Sequence, residues 1–172
     1  YYRDIRITPI YEGTTAIHSQ DLLGRKVSMA NGAAITHLSN EIIDTITTAS
    51  KSEKLAPYAV KLSAELKAYN KTLQHLFSIA QTGDTERYLS DAALFLELTS
   101  TIVVAWQWLE IGIATEKALE NAEIEADFAH SKFETMKFYF HYELPKTTGL
   151  STRLVDETVI TILGEKDVFD IC

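Results

Sequence analysis

The 172-residue chain sets 24 acidic against 16 basic residues, a formal net charge of −8. That balance argues against nucleic acid, whose phosphates need Lys and Arg gathered on one face, and equally against attachment to an anionic membrane surface. With 46% hydrophobic and 23% charged residues, the length suits one domain with a sizeable core and is short for two. The single cysteine is Cys172, the last residue, so no internal disulfide forms and a reducing, cytoplasmic setting is expected.

Residues 1–12, YYRDIRITPIYE, are rich in aromatic and β-branched types, and Pro9 discourages a continuous helix through them. Gly13-Thr14-Thr15 is a turn and capping signal, with either threonine able to cap the helix expected over 15–29. The ANG of 30–32 interrupts it. Ile35, Leu38, Ile42 and Ile46 then recur at helical spacing, and Leu55, Ala59, Leu62, Leu66, Tyr69, Leu73, Leu76 and Ala80 extend the same period over many turns. QTGDTE at 81–86 is a turn, with Asp84 or Thr85 as N-cap. The next helix is expected to reach residue 121, and its roughly 35 residues would span about 50 Å.

Residues 92–114 are the most apolar stretch, but Glu97, Gln107 and Glu110 interrupt them, which predicts a central buried helix rather than a membrane span. Ile124, Phe128, Phe133, Met136 and Phe140 mark a further helix, which Pro145 and Gly149 are expected to end, and a short last helix is expected over 151–163. The fold class is all-α, an up-and-down helical bundle led by an N-terminal motif segment.

Several constellations fail on inspection. A di-iron bundle needs Glu-x-x-His on two helices, and only Asp127-x-x-His130 is present, once, so no metal is expected. Phe138 to Tyr142 form an aromatic run that a helix would share between core and an interface. Cys172 has no basic neighbour to activate it. Gly-rich phosphate loops are absent.

What remains is YEGTT at 11–15. Its simplest reading is a turn before a helix, with Glu12 favouring the positive helix end. A sharper reading notes that Gly13 lets backbone approach a ligand or take φ > 0, and that Thr14 offers a hydroxyl at a helix start. Ile10 and Tyr11 offer apolar walls that would raise a carboxylate pKa toward that of a working base.

The whole stretch YYRDIRITPIYEGTTAIHSQDLLGRK closely resembles the C-terminal signature of acyl-CoA dehydrogenases, Arg-Asp-x-[Arg/Lys]-Ile-x-x-Ile-Tyr-Glu-Gly-Thr-x-x-Ile-Gln. Arg3, Asp4, Arg6, Ile7, Ile10, Tyr11, Glu12, Gly13, Thr14 and Ile17 match it. The later helices, with ELPKTTGL at 143–150, resemble the extra C-terminal domain of the longer members, the methylmercaptopropionyl-CoA dehydrogenase-like enzymes among them.

The resemblance implies FAD-dependent α,β-desaturation of an acyl-CoA thioester, with electrons passed on to an electron-transfer acceptor, and a homo-oligomer. By position Glu12 matches the catalytic base, Tyr11 and Gly13 match residues lining the thioester end of the substrate, and Thr14 matches a flavin contact. Ala16 and His18 stand at two further flavin-contact positions, His18 in place of the signature's final Gln and Ala16 where many relatives carry a polar residue.

Family members run to several hundred residues, so the chain, which begins without Met, is expected to be a C-terminal fragment. Residues 1–30 would be the end of the catalytic helical domain and 31–172 a C-terminal bundle. The alternative is a non-catalytic bundle module for subunit association.

Overall fold

The computed structural model describes residues 2–8, 10, 11, 13–158 and 162 of the chain. Pro9, Glu12, Cys172 and the end of the helix expected over 151–163 lie outside the described residues. Eight α-helices are described: α1 (Tyr2–Ile5), α2 (Thr15–Asp21), α3 (Met29–Ala49), α4 (Ala56–Gln81), α5 (Thr85–Leu89), α6 (Ala92–Glu120), α7 (Ala126–Phe138) and α8 (Lys146–Leu154). No strand occurs among the described residues. The all-α bundle expected from the helical period is therefore the fold.

Helix α6 is the axis, with α2, α3, α4, α7 and α8 all packing on it. By length and composition alone the segment Thr85–Glu120 could cross a membrane. Five helices pack on it and bury part of its apolar surface, while Val104 and Ile111 stay exposed. Phe95, Leu98, Ala105 and Leu109 of α6 are fully buried. From α4 come Ala59, Leu62, Leu66 and Tyr69, and from α7 Phe133 and Met136. The Tyr69 and Phe95 rings stack with centroids 5.6 Å apart. Gly112 sets how close α6 comes to α7, because a Cβ there would lie 2.8 Å from Met136 Sδ and 3.1 Å from Leu55 Cδ2.

Polar side chains inside the bundle are tied across helices. Trp106 Nε1 donates to Thr45 Oγ1 at 2.7 Å, and that hydroxyl also meets the Glu110 carboxylate. Ser52 Oγ donates to Glu116 at 2.7 Å, and Thr147 Oγ1 to Glu65 at 2.7 Å. Bonds of this kind add little net stability, but each removes the larger cost of an unpaired buried polar atom.

Three sequence expectations need correcting. The helix expected from about 86 to 121 is two helices, α5 and α6, parted at Ser90–Asp91. Ser90 Oγ turns back to the Arg87 carbonyl at 2.9 Å, and Asp91 leaves helical geometry at φ −107°, ψ 23°. Short polar side chains compete for the backbone in this way.

Gly149 does not end a helix but lies inside α8, whereas Pro145 falls just past the helical run that stops at Glu143 and also precedes α8 at φ −62°, where a missing N–H costs nothing. Helix α8 itself runs Lys146–Leu154, earlier than the 151–163 expected from the sequence.

The third correction concerns 15–29. Helix α2 passes into a π-helical turn, Leu22–Lys26, in which the Val27 amide bonds the Leu22 carbonyl at 3.0 Å. A second π turn, Tyr139–Glu143, follows α7. The break at ANG is real and sharp. Ala30, Asn31 and Gly32 are successively left-handed, at φ 50°, 58° and 82°.

Candidate functional site

Helix α2 joins the motif segment to the bundle. Ser19, Leu23 and Val27 recur every fourth residue, and all three are buried. Leu23 and Val27 belong to the same core cluster as the bundle helices. The opposite side of α2 is open. At 100° per residue, Thr14, Ile17 and His18 fall across the helix from Leu23, and all three are exposed. Ala16 lies on the bundle side, yet it too is exposed because α2 begins beyond the bundle's edge. Its carbonyl accepts the Ser19 hydroxyl at 2.8 Å.

The motif residues can be placed one by one. Glu12 lies outside the described residues. Tyr11 is 74% and Ile10 79% exposed, so neither forms an apolar wall within this chain. A Cβ at Gly13 would meet nothing within 4 Å, which leaves its backbone open to close approach. Thr14 occupies the N-cap position of α2, with the His18 amide on its carbonyl at 3.0 Å, but its side chain makes no capping hydrogen bond. The described motif residues therefore share one outward-facing surface at the start of α2 and touch no cleft wall.

A cleft of about 510 Å³ adjoins α2 at Gln20, lined further by Thr85, Glu86, Leu89 and Ser90, and others lie farther from the motif. One of about 510 Å³ sits between the α3–α4 connection and α6, lined by Lys51, Lys54, Lys117, Glu53, Glu116 and Glu120. Its charges alternate in sign, and no motif residue reaches it. Among the described residues, no group of three or more His, Cys, Asp or Glu side chains could hold a metal. The aromatic run splits by face: Phe140 is buried, Tyr139 donates to the Thr101 carbonyl at 3.2 Å, and Phe138 stacks on Tyr142 in the open at 4.9 Å.

Electrostatics at α2 are local. Arg25 grips Asp21 one turn earlier through two bonds of 2.5 and 2.9 Å, and this contact holds the Asp21 carboxyl below its ordinary value. The firmest tie of this region to the bundle is one that sequence reasoning missed. Tyr88 of α5 donates its hydroxyl to the Leu23 carbonyl at 2.7 Å, and both residues are buried. Burial also raises the Tyr88 pKa. A tyrosine in a five-residue helix between turns carries no periodic signal, so the sequence had no means of marking it.

Comparison with known proteins agrees with this architecture. The chain is 33% identical over 157 residues to a 3-methylmercaptopropionyl-CoA dehydrogenase of Ruegeria pomeroyi, covering 91% of this chain and 26% of that protein. It is 27% identical to a broad-specificity linear acyl-CoA dehydrogenase of Mycobacterium tuberculosis, over 97% of this chain and 28% of the relative. A butyryl-CoA dehydrogenase of Syntrophomonas wolfei is 26% identical over 86% of this chain and 24% of its own length. The chain thus spans about a quarter of the length of the curated relatives it matches. Residues 38–162, which include most of α3 and all of α4 to α8, match the family described as acetyl-CoA dehydrogenase C-terminal like. The chain therefore belongs to that family, the C-terminal region of acyl-CoA dehydrogenases.

Proposed function

We propose that this chain is the C-terminal part of an FAD-dependent acyl-CoA dehydrogenase, in which Glu12 is the base for α,β-desaturation of an acyl-CoA thioester. The observation that carries this reading is the outward display of the motif. Tyr11, Gly13, Thr14 and His18 are all exposed on a helix start whose other face is locked into the bundle. Residues 1–30 are the end of the catalytic helical domain, and the bundle of 31–172 holds that end in place.

In this arrangement Glu12 accepts the proton from the substrate α-carbon, a role that contributes about 10²–10⁴-fold to rate. Tyr11 and Gly13 line the thioester end. The exposed backbone at Gly13 allows close approach, since no atom of the described residues beyond its chain neighbours crowds it. The flavin, when bound, supplies the acceptor for the hydride leaving the β-carbon.

The residues present fit one edge of a flavin site. The Thr14 side chain has no capping duty and is exposed, as is His18, and among the described residues no wall encloses them. FAD titrated into the isolated chain should accordingly show no tight binding, because a single edge does not offset the rigid-body freedom lost on association. Micromolar binding by calorimetry would place a complete flavin site within the bundle and overturn the reading. Substrate identity follows the parts of the protein that enclose the acyl chain, and the electron acceptor and homo-oligomeric assembly are carried over from the family.

The decisive experiment is Glu12→Gln in the full-length protein. Glutamine keeps size and polarity but cannot take the proton, so acyl-CoA dehydrogenation should be lost while flavin absorbance is kept. Turnover within a few-fold of the parent would assign the base elsewhere.

A further inference from the structure

Tyr88 sits far from the motif in sequence, yet it reaches the helix that carries it. The π turn explains how. In an α-helix the Val27 amide would bond the Leu23 carbonyl four residues back. Here it bonds Leu22 instead, at 3.0 Å, and Leu23 accepts the Tyr88 hydroxyl at 2.7 Å. The extra residue in the turn therefore opens one buried backbone acceptor on the motif helix, and a side chain of the bundle fills it. Single π turns of this kind are frequent at functional sites.

The element bearing Tyr88 is itself fixed at both ends. Asp84 caps α5 by accepting the Arg87 amide at 3.0 Å. Past its C-terminus, Arg153 of α8 bonds Asp91 at 3.0 Å, which pins the α5–α6 junction. Leu89 meets the π turn at Gly24, where a Cβ would lie 3.5 Å from Leu89 Cδ2. Helix α5 is thus a short, doubly anchored arm holding one hydroxyl against α2.

We infer that Tyr88 is a positioning residue for the proposed desaturation, setting through the Leu23 carbonyl the placement of α2 and of the Tyr11–His18 surface at its start. The inference rests on the reading of that surface as part of the dehydrogenase site. Its physical content is a lever. The seven residues of α2 separate Thr14 from the π turn, so a small rotation at Leu23 becomes a larger displacement at Thr14, and reacting groups tolerate little displacement. The bundle then does more than mediate association: it holds one side of the active site in register.

Tyr139 supplies a matched control. It too donates its hydroxyl to a backbone carbonyl beside a π turn, that of Thr101 at 3.2 Å, but this acceptor lies in α6 rather than on the motif helix. The experiment compares Tyr88→Phe, Tyr139→Phe and Glu12→Gln in the full-length, flavin-loaded protein. Phenylalanine keeps each ring in the core, so folding should survive. In Tyr88→Phe, kcat should fall by about tenfold or more with KM little changed, the pattern of a lost geometric constraint. The kcat–pH profile should shift with it, and amide exchange across residues 19–27 should speed up. Tyr139→Phe should show a comparable fall in melting temperature with none of these changes.

Asp84→Ala, which removes the cap of α5, loosens the same arm by a second route and should lower kcat in the same direction. If Tyr88→Phe turns over like Tyr139→Phe, Tyr88 is structural only and the inference fails while the Glu12 reading stands. If Glu12→Gln retains turnover, the site reading fails and the positioning role falls with it.

Discussion

Between Tyr2 and Thr14 every described side chain is exposed, including Ile5, Ile7, Ile10 and Tyr11, while the bundle buries Phe95, Leu62, Leu98 and Leu109 completely. Both regions are rich in apolar residues, yet only one of them has a core to put those residues in. An apolar run without a core in its own chain is an interaction surface or a liability. Here it coincides with the signature stretch. Burial is therefore divided along the chain: the bundle holds the core, and the described leading residues face outward.

The largest test of that division is a pair of truncations in the isolated chain. Phe95→Ala should cost about 3–5 kcal/mol, because a fully buried ring stacked on Tyr69 leaves a cavity that helices on all sides cannot close. Ile10→Ala removes an apolar side chain that is 79% exposed, and should stay within about 0.5 kcal/mol of the parent. Denaturant unfolding measures both. A loss at Ile10 approaching that at Phe95 would mean the leading segment packs into the bundle after all.

Alkaline unfolding sharpens the same contrast through protons. Burial pushes the Tyr69 hydroxyl up to about 12, against an ordinary value of 10.0, with the Thr99 hydrogen bond pulling weakly the other way. Between those values the unfolded chain has released the proton and the folded one has not. The native state then binds more protons, so stability falls as pH rises through that window and is fully present below it. At about 1.4 kcal/mol per unit the loss is on the order of 3 kcal/mol. Tyr69→Phe should flatten the fall of melting temperature between pH 10 and 12 without abolishing it, since Tyr88 and Tyr139 are also raised. An unchanged slope in Tyr69→Phe would rule out Tyr69 as its main source.

How much of this was legible beforehand follows the same division. The long apolar periods of α4 and α6 announce themselves, because a helix that must bury a stripe repeats it every three or four residues. ANG at 30–32 and the Asp84 cap are equally readable, each being local chemistry. The break at Ser90–Asp91 was hidden by apolar residues on both sides, and Gly149 was misread because a glycine is tolerated inside a helix as well as past its end.

The π turns left no sequence trace, since an i to i−5 bond is selected by what the freed carbonyl meets in three dimensions. At the site, the order of residues matched a family signature well before any geometry was known. The Tyr88–Leu23 contact joins residues 65 positions apart, and no local pattern encodes it.

A further predicted effect is a gain, and it compares two helix ends within the bundle. Helix α4 is followed by Gly83 at φ 82°, the left-handed residue that lets the chain turn away, with its amide on the Ala80 carbonyl at 3.1 Å. Helix α6 needs the same geometry but places Ala122 there, at φ 55°. The Glu123 amide reaches the Ala118 carbonyl at 2.8 Å and the Ala122 amide reaches Leu119 at 3.1 Å, the paired bonds of a Schellman cap. An alanine Cβ in that conformation costs roughly 1–2 kcal/mol. Glycine removes the strain but gives back part of the gain, because it frees the unfolded chain by about 0.5–1 kcal/mol. Ala122→Gly should therefore stabilise the bundle by about 0.5–1 kcal/mol, a rise in melting temperature of about 1–4 °C for a domain of this size. Gly83→Ala should move it the other way. If Ala122→Gly lowers the melting temperature, the left-handed end of α6 is not what the chain adopts in solution.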